Sequence, residues 1–379
     1  MSLADIVLTH RDNVVAYYEA IHEYVGPEGV AWDPSIGAWI VSKYALCSEL
    51  LESKQLQCQR IDLPRGRNPD LVECAEGILN RQLMFNAESR VQRDYWQRRA
   101  TAVGDERLRE IAETTLDSAI GTDLYADILQ PFASRIAAAC VDLDEGYRCK
   151  LYPLINGCVR FLDGKLRNER DFDLSMISIV MLYDQLGTLY RTSDRGSKDP
   201  QWLADLMLTL VAGHESTAYL LGTVFLQEKF PHASVSMPKL LMESIRFDSP
   251  VQLIGRKTLV DTQVGSVVIP AESRIFIHIG AANRDLSAFE HAHEFIPTRR
   301  GPPLLSFGLG EGQCLGRSLA IRSAHVFLTV LRSRRQWFAI GTNVHRTTGI
   351  AGRGFHSLPA RLVAIGESDL TTEAGDAGK

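Results

Sequence analysis

Between Pro200 and Lys229 the chain reads PQWLADLMLTLVAGHESTAYLLGTVFLQEK, a helical stretch too long and too apolar to lie on a surface. Such a helix has to run through the middle of the molecule, and the other elements must be arranged to cover it. Yet Gly213, His214, Glu215 and Ser216 interrupt it at its centre. Charged residues are rarely buried without a partner or a task, so the interruption marks a candidate site.

The covering layers follow from the flanking patterns. From Glu88 to about Phe230, apolar residues recur at helical intervals, as in ILQPFASRIAAACVDL and DLSMISIVMLYDQLGTLY, which predicts a large helical body. Nearer the start, GVAWDP and AWIVSKY flank the turn DPSIG and predict a hairpin, followed by a helical ALCSELLES. After the central helix, a helix carrying Glu243 and Arg246 gives way at Ser249-Pro250 to short strands in VQLIGRKTLV, VGSVVIP and SRIFIHIG. The segment TTGIAGRGFHSLPARLVAI reads as one more hairpin, and residues 366–379 as a disordered polar tail. The expectation is a single domain over residues 1–365, mostly α with small β-sheets (α+β), built around a long central buried helix.

Composition narrows the function classes. A net charge of −5 over 379 residues, with no basic run, gives no positive face for nucleic acid. The N-terminus MSLADIVLTHRD lacks a basic stretch followed by an apolar run, and nowhere do about 18 apolar residues follow one another. No signal peptide and no membrane span are expected, and a cytoplasmic location is. Cys47, Cys58, Cys74, Cys140, Cys149, Cys158 and Cys314 form an odd, scattered set without a CxxC pair, which argues against a disulfide framework and a structural zinc site.

One cysteine stands apart. In LLSFGLGEGQCLG, residues 304–316, Cys314 is set among Gly308, Gly310, Gly312 and Gly316. Glycine costs chain entropy and packs nothing, so this loop points to a backbone held close to something large and flat. The glycines lack the GxGxxG spacing of a dinucleotide loop. His214 and Glu215 do not open a zinc HExxH, because the fifth position is Ala218. His291 and His293, in FEHAHEF, have no third ligand nearby and read as surface residues.

Taken in order, AGHEST at 212–217, ESIR at 243–246, AANRD at 281–285, FIPTRR at 295–300 and FGLGEGQCLG at 307–316 resemble the cytochrome P-450 family, in its bacterial form, over nearly the whole chain. The resemblance implies a haem b whose iron takes the Cys314 thiolate, with Phe307, Gly308, Gly310 and Gly316 in the loop beneath the macrocycle. It implies Arg93, in ESRVQR, and Arg256 as partners for the haem propionates. Glu215, with Ser216 and Thr217, would be the acid–alcohol group that delivers protons. Glu243, Arg246 and Arg299 would form a buried structural network.

The departures from the family pattern are Ser216 where threonine is usual, Leu304 and Gly312 where histidine or arginine is common, and Ser89 in place of a histidine. Leu208, Ala212, Val251, Leu253, Ile254 and Ile350 are the candidate pocket wall. The chain shows no flavin or iron–sulfur segment, so electrons are expected from NAD(P)H through separate ferredoxin- or flavodoxin-type partners, docking near Arg98, Arg99, Arg317 and Arg322. The implied activity is a monooxygenase that uses dioxygen on a small, largely apolar organic molecule in specialised metabolism. The alternatives are another haem-thiolate chemistry, such as coupling, ring formation, nitration or peroxide-driven oxidation, and a non-catalytic binding module with weakened haem binding.

Overall fold

The computed structural model describes residues 2–64, 68–82, 90–164, 168–191, 199–227 and 235–365. Ser89 and the expected polar tail at 366–379 lie outside the described residues.

Helices α1 (Leu3–His10) and α2 (Val14–Val25) lead into strands β1 (Val30–Asp33) and β2 (Ala38–Val41), then α3 (Tyr44–Glu52) and β3 (Leu56–Cys58). The helical body holds α4 (Pro69–Arg81), α5 (Arg90–Ala102), α6 (Asp105–Asp117), α7 (Gln130–Cys140), α8 (Glu145–Leu162), α9 (Glu169–Arg191) and α10 (Pro200–Leu226). A π-helical segment, Tyr125–Leu129, feeds α7. Next come α11 (Met237–Phe247), β4 (Leu253–Thr258), β5 (Thr262–Val264), β6 (Val267–Ile269), β7 (Arg274–His278) and the short α12 (Ile279–Ala282). The chain ends with α13 (Arg317–Ser333), β8 (Gln336–Ile340), β9 (His345–Arg346), β10 (Phe355–Ser357) and β11 (Ala360–Ala364).

Helix α10 is the expected central rod. Asp199 caps it by accepting from the Gln201 amide, and Pro200 fits the first turn, where no intrahelical donor is needed. Leu206, Met207, Leu210, Leu221, Val224 and Phe225 are almost fully buried, and α4, α7, α8, α9, α11 and α13 pack around the rod. The hairpin β1–β2 extends into a five-stranded sheet in the order β1-β2-β7-β4-β3, with β2 and β7 parallel and the other pairs antiparallel.

The C-terminal hairpin is not as the pattern predicts. Residues 355–357 pair with β9, whereas β11 pairs with β8, directly after α13. Alternating apolar residues show that these segments are strands, but pairing is settled by which edge lies within reach.

Two buried carboxylates organise the region after α10. Glu243 holds Arg246 through two hydrogen bonds of 2.8 Å, with Arg246 only 1% exposed. Arg246 also donates to the carbonyls of Asn283, Ala292 and Glu294, and Arg299 approaches Glu243 at 3.4 Å. Just beyond α11, Asp248 takes Arg346 and Arg353, each at 2.7 Å. Those guanidiniums lie over the rings of Phe355 and Tyr17, at 4.4 and 4.3 Å, and Arg284 lies 4.1 Å over Phe247. Aromatic faces thereby offset charge that one carboxylate cannot balance.

His278 is fully buried. Its Nδ1 accepts from the Ala281 amide at 3.1 Å, capping α12, and its Nε2 lies 3.4 Å from the Tyr17 hydroxyl. Burial first, then the charges of His22 and Arg353, pull the imidazole down to about 3.

Two expectations follow from these groups. Arg246→Ala leaves Glu243 charged and under-paired in the interior, which costs about 3–5 kcal/mol and lowers the urea midpoint accordingly. A variant that unfolds with the wild type would show the pair to be dispensable. For His278, the unfolded imidazole binds its proton near 6.5 and the folded one only near 3. The unfolded state therefore binds more protons across that window, and stability falls as pH drops, by about 1.4 kcal/mol per unit. His278→Asn, which keeps a cap acceptor, should flatten the slope of stability against pH between those values; an unchanged slope would assign the acid sensitivity to other groups.

Candidate active site: the cysteine loop and the open face of α10

The loop before α13 is a sequence of tight turns. Leu305–Phe307 forms a 3₁₀ turn that ends on Gly308, at φ +67°, and a second turn begins at Gly310, at φ +60°. Both positions are left-handed, which side-chain-bearing residues rarely adopt, and a Cβ on Gly308 would also stand 3.3 Å from the Gly312 carbonyl oxygen. The Cys314 amide then donates to the Phe307 carbonyl at 2.8 Å, folding the loop back on itself. Gly316 sits in an ordinary backbone conformation. Its φ is −83°, and a Cβ there would meet Cys314 Sγ at an ordinary 3.9 Å, so the protein around it does not itself demand glycine.

Cys314 is accessible at its surface yet set in dense protein. Burial pushes its thiol up, while the Gly316 and Arg317 amides and the guanidiniums of Arg93 and Arg317 pull it back. The sulfur thus sits at the N-terminal end of α13 among donors suited to an anion. Of the other cysteines, Cys47, Cys140 and Cys158 are buried, Cys58 is half-buried, and Cys74 and Cys149 are exposed.

Two expected arginines reach this loop. Arg93, on α5, donates to the Gln313 carbonyl at 2.8 Å. Arg256, on β4, donates to the Gly255 carbonyl, and its Nη2 lies 2.9 Å from where a Cβ on Gly312 would stand. Gly312 therefore leaves the space that Arg256 enters, and a larger residue there would have to displace the guanidinium. Phe307 is covered by Arg317, whose guanidinium lies 5.7 Å from its ring centre, and Leu304 packs against the helical core. The loop's start is pinned by Asn283, which accepts from the Leu305 amide at 2.9 Å and donates to Ser306 at 2.7 Å.

On α10, consecutive residues face different neighbours. Leu208 is half-buried, Ala212 is exposed and Ser216 is half-buried, so one stripe of the helix is open. Gly213 allows close approach of α7, since a Cβ there would stand 3.0 Å from the Ala137 Cβ. His214 bonds Asn156 at 3.0 Å, and Thr217 points into the interior at 6% exposure. Ser216 donates to the Ala212 carbonyl at 3.1 Å. The carboxylate of Glu215 turns aside into a cage, accepting from Tyr125 at 3.0 Å, from Tyr219 and from Gln130 at 3.4 Å. The expected acid–alcohol group is thus spread around the helix, with only its serine on the open stripe. Tyr219 was legible as a residue one turn after Glu215; Tyr125 and Gln130 arrive from distant segments and gave no local signal.

The candidate pocket wall also divides. Val251 is 39% exposed and bridges to Gly352, whereas Leu253 is 8% exposed and packs into the N-terminal core with Tyr17 and Ala281. Strand alternation puts Ile254 on the face of Arg256 and Leu253 on the other, so Leu253 is core. Ile350 packs against that same core. Among the expected docking arginines, Arg98 and Arg317 are exposed. Arg99 is instead tied to Asp142 and the Cys140 carbonyl, and Arg322 to Asp105 and the Val103 carbonyl. His291 lies beside Glu290 and Glu294, and among the described residues no group of three or more metal-ligating side chains gathers.

The donor set fits a thiolate-ligated haem. It offers an accessible sulfur with amides and guanidiniums around it and two arginines at the loop for carboxylates, and Ala212 and Ser216 leave a stripe of α10 uncovered by other elements. Among the described residues, no helix is long and apolar enough to cross a membrane.

Comparison with known proteins agrees. A family model described as Cytochrome P-450 matches residues 237–343. The beta-dihydromenaquinone-9 omega-hydroxylase of Mycobacterium tuberculosis is 38% identical over 339 residues, an alignment covering 80% of this chain and 67% of that protein. A cytochrome P-450 of Xylella fastidiosa is 26% identical over 238 residues, covering 56% of this chain and 59% of the relative. The aligned chain therefore spans about three fifths of the Xylella protein and about two thirds of the mycobacterial one. Among solved structures, P-450 BioI in complex with an acyl carrier protein bearing hexadec-9Z-enoic acid superposes with a TM-score of 0.77 at 19% identity, covering 93% of this chain and 100% of that one, which speaks to the fold. Given a mycobacterial relative 38% identical over 339 residues, and a cysteine loop built as described, the chain belongs to the cytochrome P-450 family.

Proposed function

We propose that this protein is a haem-thiolate monooxygenase that uses dioxygen to oxidise a small, largely apolar organic molecule in bacterial specialised metabolism. The observation that carries the reading is Cys314, held at the start of α13 with amides and two guanidiniums around its sulfur. When bound, the haem supplies thiolate-supported cleavage of the oxygen–oxygen bond. The omega-hydroxylase name of the mycobacterial relative supports oxygen insertion as the outcome.

The chain's own residues supply the rest. Arg93 and Arg256 would hold the haem carboxylates through charge-assisted hydrogen bonds. Leu208, Ala212, Val251 and Ile254 bound the substrate, and their apolar surfaces select a ligand of like character. Ser216 offers the open face its hydroxyl, able both to donate and to accept, and Glu215 stands beside it as the acid. Electrons come from NAD(P)H through a ferredoxin- or flavodoxin-type partner, with Arg98 and Arg317 as the exposed cations at its docking face.

Cys314→Ser should fold and lose the red-shifted Soret band of the reduced, carbon monoxide-treated protein, because a serine hydroxyl stays protonated near neutral pH. A variant that keeps the band would place the ligand elsewhere. Ser216→Ala should bind haem and substrate normally yet release peroxide, with product per reduced nicotinamide down by about a hundredfold, the low end of what a positioned proton donor contributes. Full coupling in Ser216→Ala would move the reading to haem-thiolate chemistry that needs no proton delivery. A wild type that never takes up haem would leave a binding module.

A further inference from the structure

A cavity of about 210 Å³ lies where α5, α9 and the first turns of α10 meet the turn between α7 and α8. One wall is aromatic. Tyr95 and Trp96 on α5 stand edge to face with ring centres 5.0 Å apart, Trp96 and Trp202 on α10 lie 5.9 Å apart, and Trp202 and Tyr190 on α9 lie 5.5 Å apart. The four rings form one chain of contacts across three helices. Leu143, Leu189 and Leu206 add to the apolar lining. Tyr190 also donates to the Val141 carbonyl, which ties this wall to the turn after α7.

The turn itself carries charge. It brings Asp142 and Asp144 to the cavity, and both are exposed to solvent. Asp142 takes a left-handed backbone, at φ +53°, where the chain leaves α7, a conformation that aspartate tolerates better than most residues. Arg99 lines the cavity as well, donating to the Cys140 carbonyl at 2.9 Å and to Asp142 at 2.7 Å. One guanidinium thus meets two carboxylates, and the lining keeps an excess of negative charge. The aromatic wall feels that excess. Burial first, and then the charge of Asp142, pushes the Tyr190 phenol up to about 12, with Asp144 acting in the same direction against the pull of Arg99.

Ring faces and carboxylates attract the same kind of ligand. The face of an indole or a phenol is electronegative and draws a cation, indole most strongly. A neutral arene would satisfy the rings but would strip water from the carboxylates without replacing its hydrogen bonds. A small apolar cavity of about 150 Å³ holds benzene, so this one admits a compact ligand somewhat larger. We propose that the cavity binds a small organic cation, an alkylated ammonium, between its aromatic wall and the carboxylates of Asp142 and Asp144. The site is separate from the cysteine loop and the open stripe of α10. Leu206 in the cavity and Ser216 on the stripe lie roughly 15 Å apart along the helix axis, at 1.5 Å per residue. The proposal uses neither Cys314 nor Ser216, so it does not rest on the monooxygenase reading.

The probe is choline, compared with its uncharged isostere in which a tert-butyl group replaces the trimethylammonium. A quaternary nitrogen has no lone pair and cannot ligate iron, so haem does not confuse the reading. Titration into the full-length protein, followed by calorimetry and tryptophan fluorescence, should show choline binding in the millimolar range or tighter, and the isostere about tenfold weaker. Asp142→Asn and Asp144→Asn remove the charges and keep the fold, because asparagine accepts the left-handed backbone at 142 and can still cap α8 through the Tyr147 amide. The double variant should weaken choline by about tenfold and leave the isostere unchanged. Trp202→Leu, which keeps apolar bulk and removes the ring face, should also cost choline about tenfold. The proposal is overturned if choline does not bind, if the isostere binds as tightly, or if the double variant or Trp202→Leu holds choline as the wild type does.

Discussion

A guanidinium taken out of water has to find acceptors for all its donors, and Arg246 finds them in several separate segments of the chain. Glu243 supplies both carboxylate oxygens from the preceding turn of α11, and the carbonyls of Asn283, Ala292 and Glu294 complete the set. Because a buried charge left short of partners is so costly, those segments have little freedom to settle elsewhere. Asn283 passes the constraint on, since its side chain fixes the Leu305 amide and Ser306. Those two residues open the cysteine loop, so the place of Cys314 depends on an ion pair in a different segment.

The same helix organises the far side of the molecule. Asp248, just past the end of α11, draws Arg346 and Arg353 from the C-terminal region and contacts Tyr18 of α2. N-terminal helices and C-terminal strands are thereby joined through one carboxylate. The surplus positive charge is met by the rings of Phe355, Tyr17 and Phe247. Two carboxylates near one helix end thus hold together segments that lie far apart in the chain.

The centre of α10 shows how one short motif carries several tasks. Each residue along a helix turns by about 100°, so Gly213, His214, Glu215 and Ser216 cannot face one site together. Gly213 admits α7, His214 meets Asn156, Glu215 enters the tyrosine cage, and Ser216 looks onto the open stripe. Neighbours in sequence are here separated in role, while Asp163 and Tyr219, distant in sequence, come within 3.3 Å of each other.

Much of this was legible in the sequence because it rests on local physics. The apolar run from Pro200 dictated a buried rod, alternation identified strands, and the glycines at 308 and 310 announced a turn that other residues would resist. The order of the short motifs around Cys314 pointed to the family. What local pattern cannot carry is partnership between distant segments. Nothing near residue 360 says that its strand joins β8, nothing near Leu253 says that it faces the N-terminal core, and nothing near Gly312 says that Arg256 will take its space. The sequence by itself determined which elements form and which residue types gather at the thiol, since periodicity, backbone sterics and charge act over a few residues. Tertiary structure alone decided which carboxylate meets which arginine and which hydroxyl meets Glu215, because those contacts depend on where folded elements come to rest against one another.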